Sequence, residues 1–285
     1  MLELDYTDKY FDKNLTSLYH LSIQLLPDGF SFCIRDTVRN KFIRFFEKRI
    51  EISDDLPYEY YCQHFYDFLM SQEILNSSFK KVSVLYHTTH STLVPISVYD
   101  PGKLKELFQM NFPDVSNEDI FSNRLKNSDA AVVFAVPECI NKILSQQYSN
   151  YKIYHQGYAL IDNSLFMNKG MTSTQISVNI GNGILDVCLI NTAELLLYNN
   201  FSYTTENDIV YHIANICDQF SKEARPQEIS LAGNILEFKA LIANLERYFK
   251  RVNSWKALDD VKFSDSFLPL SLNKYSNLFS LYKCE

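Results

Sequence analysis

The chain has 285 residues, enough for one large domain or two medium ones around a sizeable core. Its formal net charge of -7 excludes nucleic-acid affinity driven by phosphate neutralisation over the whole surface. Only 7 glycines occur, well under half of the roughly 7% usual in globular chains, which disfavours a glycine-lined phosphate cradle because a Cβ blocks close backbone approach.

Residues 18–26 form an apolar run with strand character, and Pro27-Asp28-Gly29 is a turn signal. Residues 30–35 read as a second strand and 41–50 as a third. Arg35, Arg39, Lys41, Arg44, Lys48 and Arg49 fall in this region; the simplest reading is the solvated face of an exposed strand pair, the alternative a patch for an anionic partner. Pro57 opens a helical stretch with Tyr61, Phe65, Phe68, Leu69 and Ile74 at roughly helical spacing. Residues 81–86 return to strand, and a short helix runs to Phe108. The unbroken apolar run 130–136 has the pattern of a strand covered on both faces. Pro137 starts a helix ending near Tyr148, and 158–166 reads as a connecting helix.

The second half restarts the same order. Residues 175–180, 184–190 and 195–203 read as three strands, with Asn182-Gly183 as the strongest hairpin signal in the chain. Thr205 caps the next helix, with Asp208 three residues on and an apolar stripe of Ile209, His212, Ile213, Ile216 and Phe220. A short strand at 228–231 and a helix over 236–249 follow. Residues 253–269 are the least regular, and 273–282 end in a helix or strand. Each half thus runs hairpin, third strand, helix, strand, helix, starting near Leu18 and Gln175. A duplicated α/β lobe with a cleft between the copies follows, divided as residues 1–168 and 169–285.

Three patches carry a resemblance. ISVNIGNGILDVCLINTAELLLYNNFSYTTENDIVYHI (residues 176–213) resembles the start of the second lobe in actin-like ATPases, above all the bacterial cell-division protein FtsA and the pilus-assembly protein PilM. SLAGN (residues 230–234) resembles their strand and turn that meet adenosine, and LSIQLLPDGFSFCI (residues 21–34) their first phosphate hairpin. The chain is similar overall to a bacterial family described only as having an actin-like ATPase fold. The resemblance implies ribonuclease H-like lobes, each a mixed sheet with flanking helices, and a nucleotide cleft at Gln24, Gly29, Asn179, Gly181, Asn182, Gly233 and Asn234.

The departures matter more. The superfamily places an aspartate at the end of the first strand of each lobe, where it holds Mg²⁺ and its waters. The matching positions here are Gln24 and Asn179, and an amide supplies no charge to a hard cation. Asp28 and Asp186 are nearby but misplaced, one in the turn and one on the second strand. Gly233 is followed by Asn234 rather than a second glycine. The expectation is a worn site: no catalytic residue, no metal, no hydrolysis, and no cofactor, with ATP or ADP held without metal as the alternative. Each patch also has a plain structural reading: Gly181-Asn182-Gly183 and Pro27-Asp28-Gly29 as tight turns, and Gly233 as a point of close packing.

Cys33, Cys62, Cys139, Cys188, Cys217 and Cys284 contain no CxxC pair and read as buried free thiols in a reducing compartment. Cys139, at a helix start, reads as structural. His87 and His90 form an HxxH without neighbouring acids, a poor metal site. His20, His64, His155 and His212 read as packed or surface imidazoles. No signal peptide or membrane span is found, so the expected location is cytoplasmic. The aromatics Phe42, Phe45, Phe46, Tyr58, Tyr60, Tyr61, Phe65, Tyr66 and Phe68 exceed what one core face can hold, which points to a protein partner or homodimer. The functional expectation is therefore a non-hydrolysing scaffold that binds a protein. A nucleotide-binding switch, or an enzyme of another class using the cleft, are the alternatives.

Overall fold

The computed structural model describes residues 3–50, 58–192, 194–220, 225–238, 240–255 and 260–284. The first half contains β1 (Glu3–Thr7), β2 (Tyr19–Leu26), β3 (Gly29–Asp36), β4 (Lys41–Arg49), α1 (Tyr58–Ser71) and β5 (Lys81–Tyr86). It continues with β6 (Ser91–Pro95), α2 (Leu104–Gln109), β7 (Glu118–Arg124), β8 (Ala130–Pro137), α3 (Glu138–Gln147), β9 (Tyr151–His155) and α4 (Gln156–Met167). The second half contains β10 (Gln175–Ile180), β11 (Ile184–Asn191), β12 (Glu194–Ser202), α5 (Glu206–Gln219), β13 (Glu228–Gly233), α6 (Leu241–Leu245), β14 (Arg251–Ser254), β15 (Lys262–Phe263) and α7 (Ser276–Ser280).

The first sheet has the order β1-β4-β3-β2-β5-β9, with β15 added to β4, and the second the order β12-β11-β10-β13-β14. In both, three antiparallel strands are followed by two parallel ones, so β4-β3-β2-β5-β9 and β12-β11-β10-β13-β14 are topological copies. Alternation within the strands decides the layers. Phe30 and Phe32 stack on Phe65 and Phe68 of α1, on the face that α1 and α3 cover. Cys33, Phe42 and Phe45 face the other way and pack on Phe279 of α7. In the second sheet Ile176, Val178 and Ile180 join Ile209, Ile213, Leu241 and Leu245 of α5 and α6. Its opposite face meets α4, whose Leu160, Ile161 and Leu165 share one core with Cys188 and Ile190 of β11. Each lobe thus covers one sheet face with a helix from the other half: α7 on the first sheet, α4 on the second.

Several expectations need correction. The apolar run of β8 is covered on both faces, by the main core at Val132, Phe134 and Val136 and by a satellite core at Val133 and Ala135. It is, however, the centre of a separate antiparallel sheet, β6-β8-β7, inserted between β5 and α3 and absent from the expected order. Leu26 pairs with Gly29, so Pro27 and Asp28 form the first turn and Gly29 opens β3. Pro57 lies outside the described residues. Among the described residues, 236–249 hold the end of a 3-10 turn and the short α6 in place of one helix, although Leu241, Leu245 and Phe249 are buried.

The basic run is not a solvated face. The acidic strand β1 pairs with β4 and supplies partners: Lys41 reaches Asp8 (2.7 Å), Arg44 reaches Asp5 (3.4 Å) and Lys48 reaches Glu3 (4.0 Å). Arg49 pairs with Asp28 and Arg39 with Asp36, so Arg39, Lys41, Arg44, Lys48 and Arg49 each have a carboxylate partner, while Arg35 donates to Asn40 Oδ1. Cys62 and Cys139 are not free thiols: they form a disulfide joining α1 to α3, while Cys33, Cys188, Cys217 and Cys284 are buried and free. Among the described residues no helix is long and apolar enough to cross a membrane.

Candidate functional site

His87 bridges the end of β2, at Leu25, and Gly181 after β10, in the region where the resemblance places the nucleotide phosphates. In the second lobe, Asn179 and Asp186 are cross-strand partners on β10 and β11. Cross-strand neighbours share a sheet face. Asp186 is therefore beside Asn179 rather than displaced from it, and Asn179 Nδ2 donates to Asp186 Oδ2 at 3.2 Å.

Asp186 is fully buried, and a buried carboxylate needs partners. It draws them from both lobes. Tyr198 of β12 donates its hydroxyl to Oδ1 at 2.9 Å. Gln156, the first residue of α4, donates Nε2 to the same oxygen at 3.2 Å. His87 Nε2 lies 3.3 Å from Oδ2, without the alignment of a hydrogen bond. Burial raises the Asp186 carboxyl, but His87, His155 and the Tyr198 hydroxyl outweigh it and hold the group below the usual carboxylate range.

His87 follows β5, and its backbone N–H donates to Leu25 O on β2 at 3.0 Å. Its ring crosses to the second lobe and lies against Gly181; a Cβ there would sit 2.6 Å from the ring. His155 is sealed behind it. Gly157 N donates to His155 Nδ1 at 3.0 Å, so Nε2 carries the proton and donates to Thr88 O at 3.0 Å. Burial pushes this imidazole down to about 4, which keeps it neutral. Gln156 closes the ring of contacts, taking a bond from Thr88 N at 3.1 Å and giving one to Thr88 O at 2.9 Å.

The expected nucleotide residues have structural partners. Gln24 is buried and accepts from Ser31 Oγ at 3.2 Å. A Cβ on Gly29 would collide with Lys48 O of β4. Gly181 N donates to Ile184 O at 2.8 Å, closing a two-residue turn in which Gly183 has φ +71° and Asn182 is exposed. Tyr203 Oη donates to Gly181 O at 2.5 Å. Gly233 has φ +90°, and a Cβ there would collide with Ile180 O. Asn234 is buried, and its N–H donates to that same oxygen at 2.8 Å. The structure gathers Asn179, Gly181, Gly233 and Asn234 around the end of β10, and leaves Gln24 and Gly29 tied to their own hairpin.

Sequence reasoning missed the cluster of His87, His155, Gln156, Asp186 and Tyr198. One signal was present: an aspartate in the apolar run LDVCLI is costly unless paired. His90 stands apart from His87, with Nδ1 3.6 Å from Glu118. Among the described residues no group of three histidine, cysteine or acidic side chains is placed to hold a metal ion.

Solved structures share this architecture. A Bacteroides thetaiotaomicron protein with actin-like ATPase fold and unknown function matches with TM-score 0.79 and 21% identity, over 94% of this chain and 98% of that one. The PilM-PilN type IV pilus biogenesis complex matches with TM-score 0.61 and 9% identity, over 92% of this chain and 97% of the other. The chain has an actin-like ATPase fold of two lobes. It belongs to the family described as protein of unknown function (DUF3822), whose model matches residues 8–252. A search of curated proteins finds no match.

Proposed function

We propose that this chain is a non-hydrolysing actin-like protein that acts by holding a protein partner. One observation carries the reading: side chains of the protein occupy the space between the hairpins. The His87 ring covers Gly181, and the Asp186 carboxylate beside Asn179 is committed to donors from both lobes. Phosphoryl transfer needs room for the phosphates, a metal and its anionic ligands. In the first lobe Asp28 is likewise taken by Arg49.

The partner half of the proposal rests on α1. Phe65 and Phe68 of that helix are buried, but Tyr58, Tyr60, Tyr66 and Met70 are 56%, 42%, 45% and 40% exposed. Tyr66 and Met70 lie four apart on one helical stripe. Exposed aromatics and methionine grouped in this way suit a protein interface. PilM, of like fold, is seen in complex with PilN. The cytoplasmic location is inferred from the sequence alone, and the Cys62–Cys139 disulfide is unusual for a reducing compartment.

Thermal unfolding with millimolar ATP or ADP, with and without Mg²⁺, tests the reading. A ligand at 100 times its dissociation constant adds about 2.7 kcal/mol. The expected result is no shift in any condition and no release of phosphate. A Mg²⁺-dependent shift would overturn the proposal.

A further inference from the structure

The duplication supplies an internal control for one cavity. Ser22 and Ser83 stand in register on the parallel strands β2 and β5, as Ser177 and Ser230 do on β10 and β13. In the first lobe the two serines are 2% and 0% exposed, and His20 Nε2 lies 2.9 Å from Ser83 Oγ. In the second lobe Gln175 stands where the first has His20, and it turns aside to give a bond to Ser173 Oγ at 2.9 Å. Ser177 and Ser230 are consequently half-buried and open onto a cavity of about 230 Å³ under α4. Among the described residues neither hydroxyl has a hydrogen-bond partner, nor has the side chain of Asn277, which is 5% exposed and lines the same space. The fold therefore does not require this opening, since its own copy is sealed.

The lining defines the ligand chemistry. No lysine, arginine or histidine reaches the cavity among the described residues, so a phosphate or carboxylate would find no counter-charge. Its one acid, Glu228, is already paired with Arg251 at 2.8 Å, so a cation gains little. Ser177, Ser230 and Asn277 can each donate and accept. Trp255 and Met167 add an apolar wall. The paired serines stand on neighbouring strands roughly 4.8 Å apart, close enough for each to take one of two adjacent hydroxyls. A cavity of this size has room for one small ring. The cavity runs along β10 and β13 from Gln175 and Glu228 as far as Val178 and Ala232, one residue short of Asn179 and Gly233.

We propose that this cavity binds a small uncharged ring polyol, a free sugar or cyclic polyol, and that it does so independently of whether the cleft holds nucleotide. Trp255 is the chain's sole tryptophan and reports directly. The experiment titrates the full chain with a panel of monosaccharides and cyclic polyols while following tryptophan emission, with nucleosides and neutral amino acids in parallel. The expected result is a saturable change with at least one sugar or polyol. The double variant Ser177→Ala with Ser230→Ala should bind at least about tenfold more weakly, its fold checked by circular dichroism. Ala232→Leu, which fills the space, should abolish the response. Silence across the sugars and polyols, equal binding by the double variant, or a response confined to nucleosides or amino acids would each overturn the proposal.

Discussion

At the residue scale, three histidines and two glycines carry most of the information. His155 is held down to about 4 and His20 to about 3, both chiefly by burial. Each is neutral when folded and takes a proton near 6.5 when unfolded. Between those values the unfolded chain binds more protons, so stability must fall as the pH drops from about 6.5 toward 4. Each should cost about 2 kcal/mol by pH 5. Urea unfolding at pH 7.5 and pH 5 measures this, and His155→Gln should remove roughly half of the loss. An unchanged pH slope in that variant would exclude the assignment. Gly233→Ala should destabilise by about 3 kcal/mol, from a left-handed backbone and a clash with Ile180. Gly183→Ala should cost only about 1 kcal/mol, because its turn faces open space. Equal losses on urea unfolding would show that the two glycines do the same work. The turn at Gly181-Asn182-Gly183 and the close packing at Gly233 were legible in the sequence. The His87–Asp186 cluster was not, because its members come from the loop after β5, the β9–α4 junction, β11 and β12, far apart in the chain.

At the element scale, the hairpins were legible because Asn182-Gly183 and the flanking alternation specify them locally. The inserted sheet was not: every residue of β7 but the last is half-buried, which erases the period-2 signal. The disulfide was hidden for a different reason, since Cys62 and Cys139 lie 77 residues apart and only the packing of α1 on α3 brings their Cα atoms to 6.1 Å. Closing so long a loop should stabilise the chain by up to about 4 kcal/mol. Thiol titration of the unreduced, unfolded protein should find four free cysteines, and reduction should lower the melting temperature. Six free thiols would remove the bridge and restore the reading from sequence. On the outer face of α1, Tyr66→Ser and Met70→Ser should change stability by no more than about 0.5 kcal/mol. A larger loss on urea unfolding would mean that these side chains serve packing rather than an interface.

At the scale of the whole molecule, the exchange of α4 and α7 makes each lobe dependent on the other. A fragment of residues 1–168 keeps α4 but loses its cover at Cys33, Phe42 and Phe45, which pack on Phe279 and Tyr275. A fragment of residues 169–285 keeps α7 but loses α4. Each fragment alone should lack the near-ultraviolet circular dichroism of fixed aromatics, and mixing them should restore it. Two independently native fragments would show that the division is between autonomous domains.

The same exchange has a consequence during synthesis. Ribosomal elongation at about 5–20 residues per second leaves roughly 230 residues, and so more than ten seconds, between the release of β4 and that of α7. Through that interval the aromatic face of the first sheet stands bare on the nascent chain, next to strand edges able to pair with a neighbour. A chaperone that recognises exposed phenylalanine would meet this protein early, and would be released only when α7 arrives.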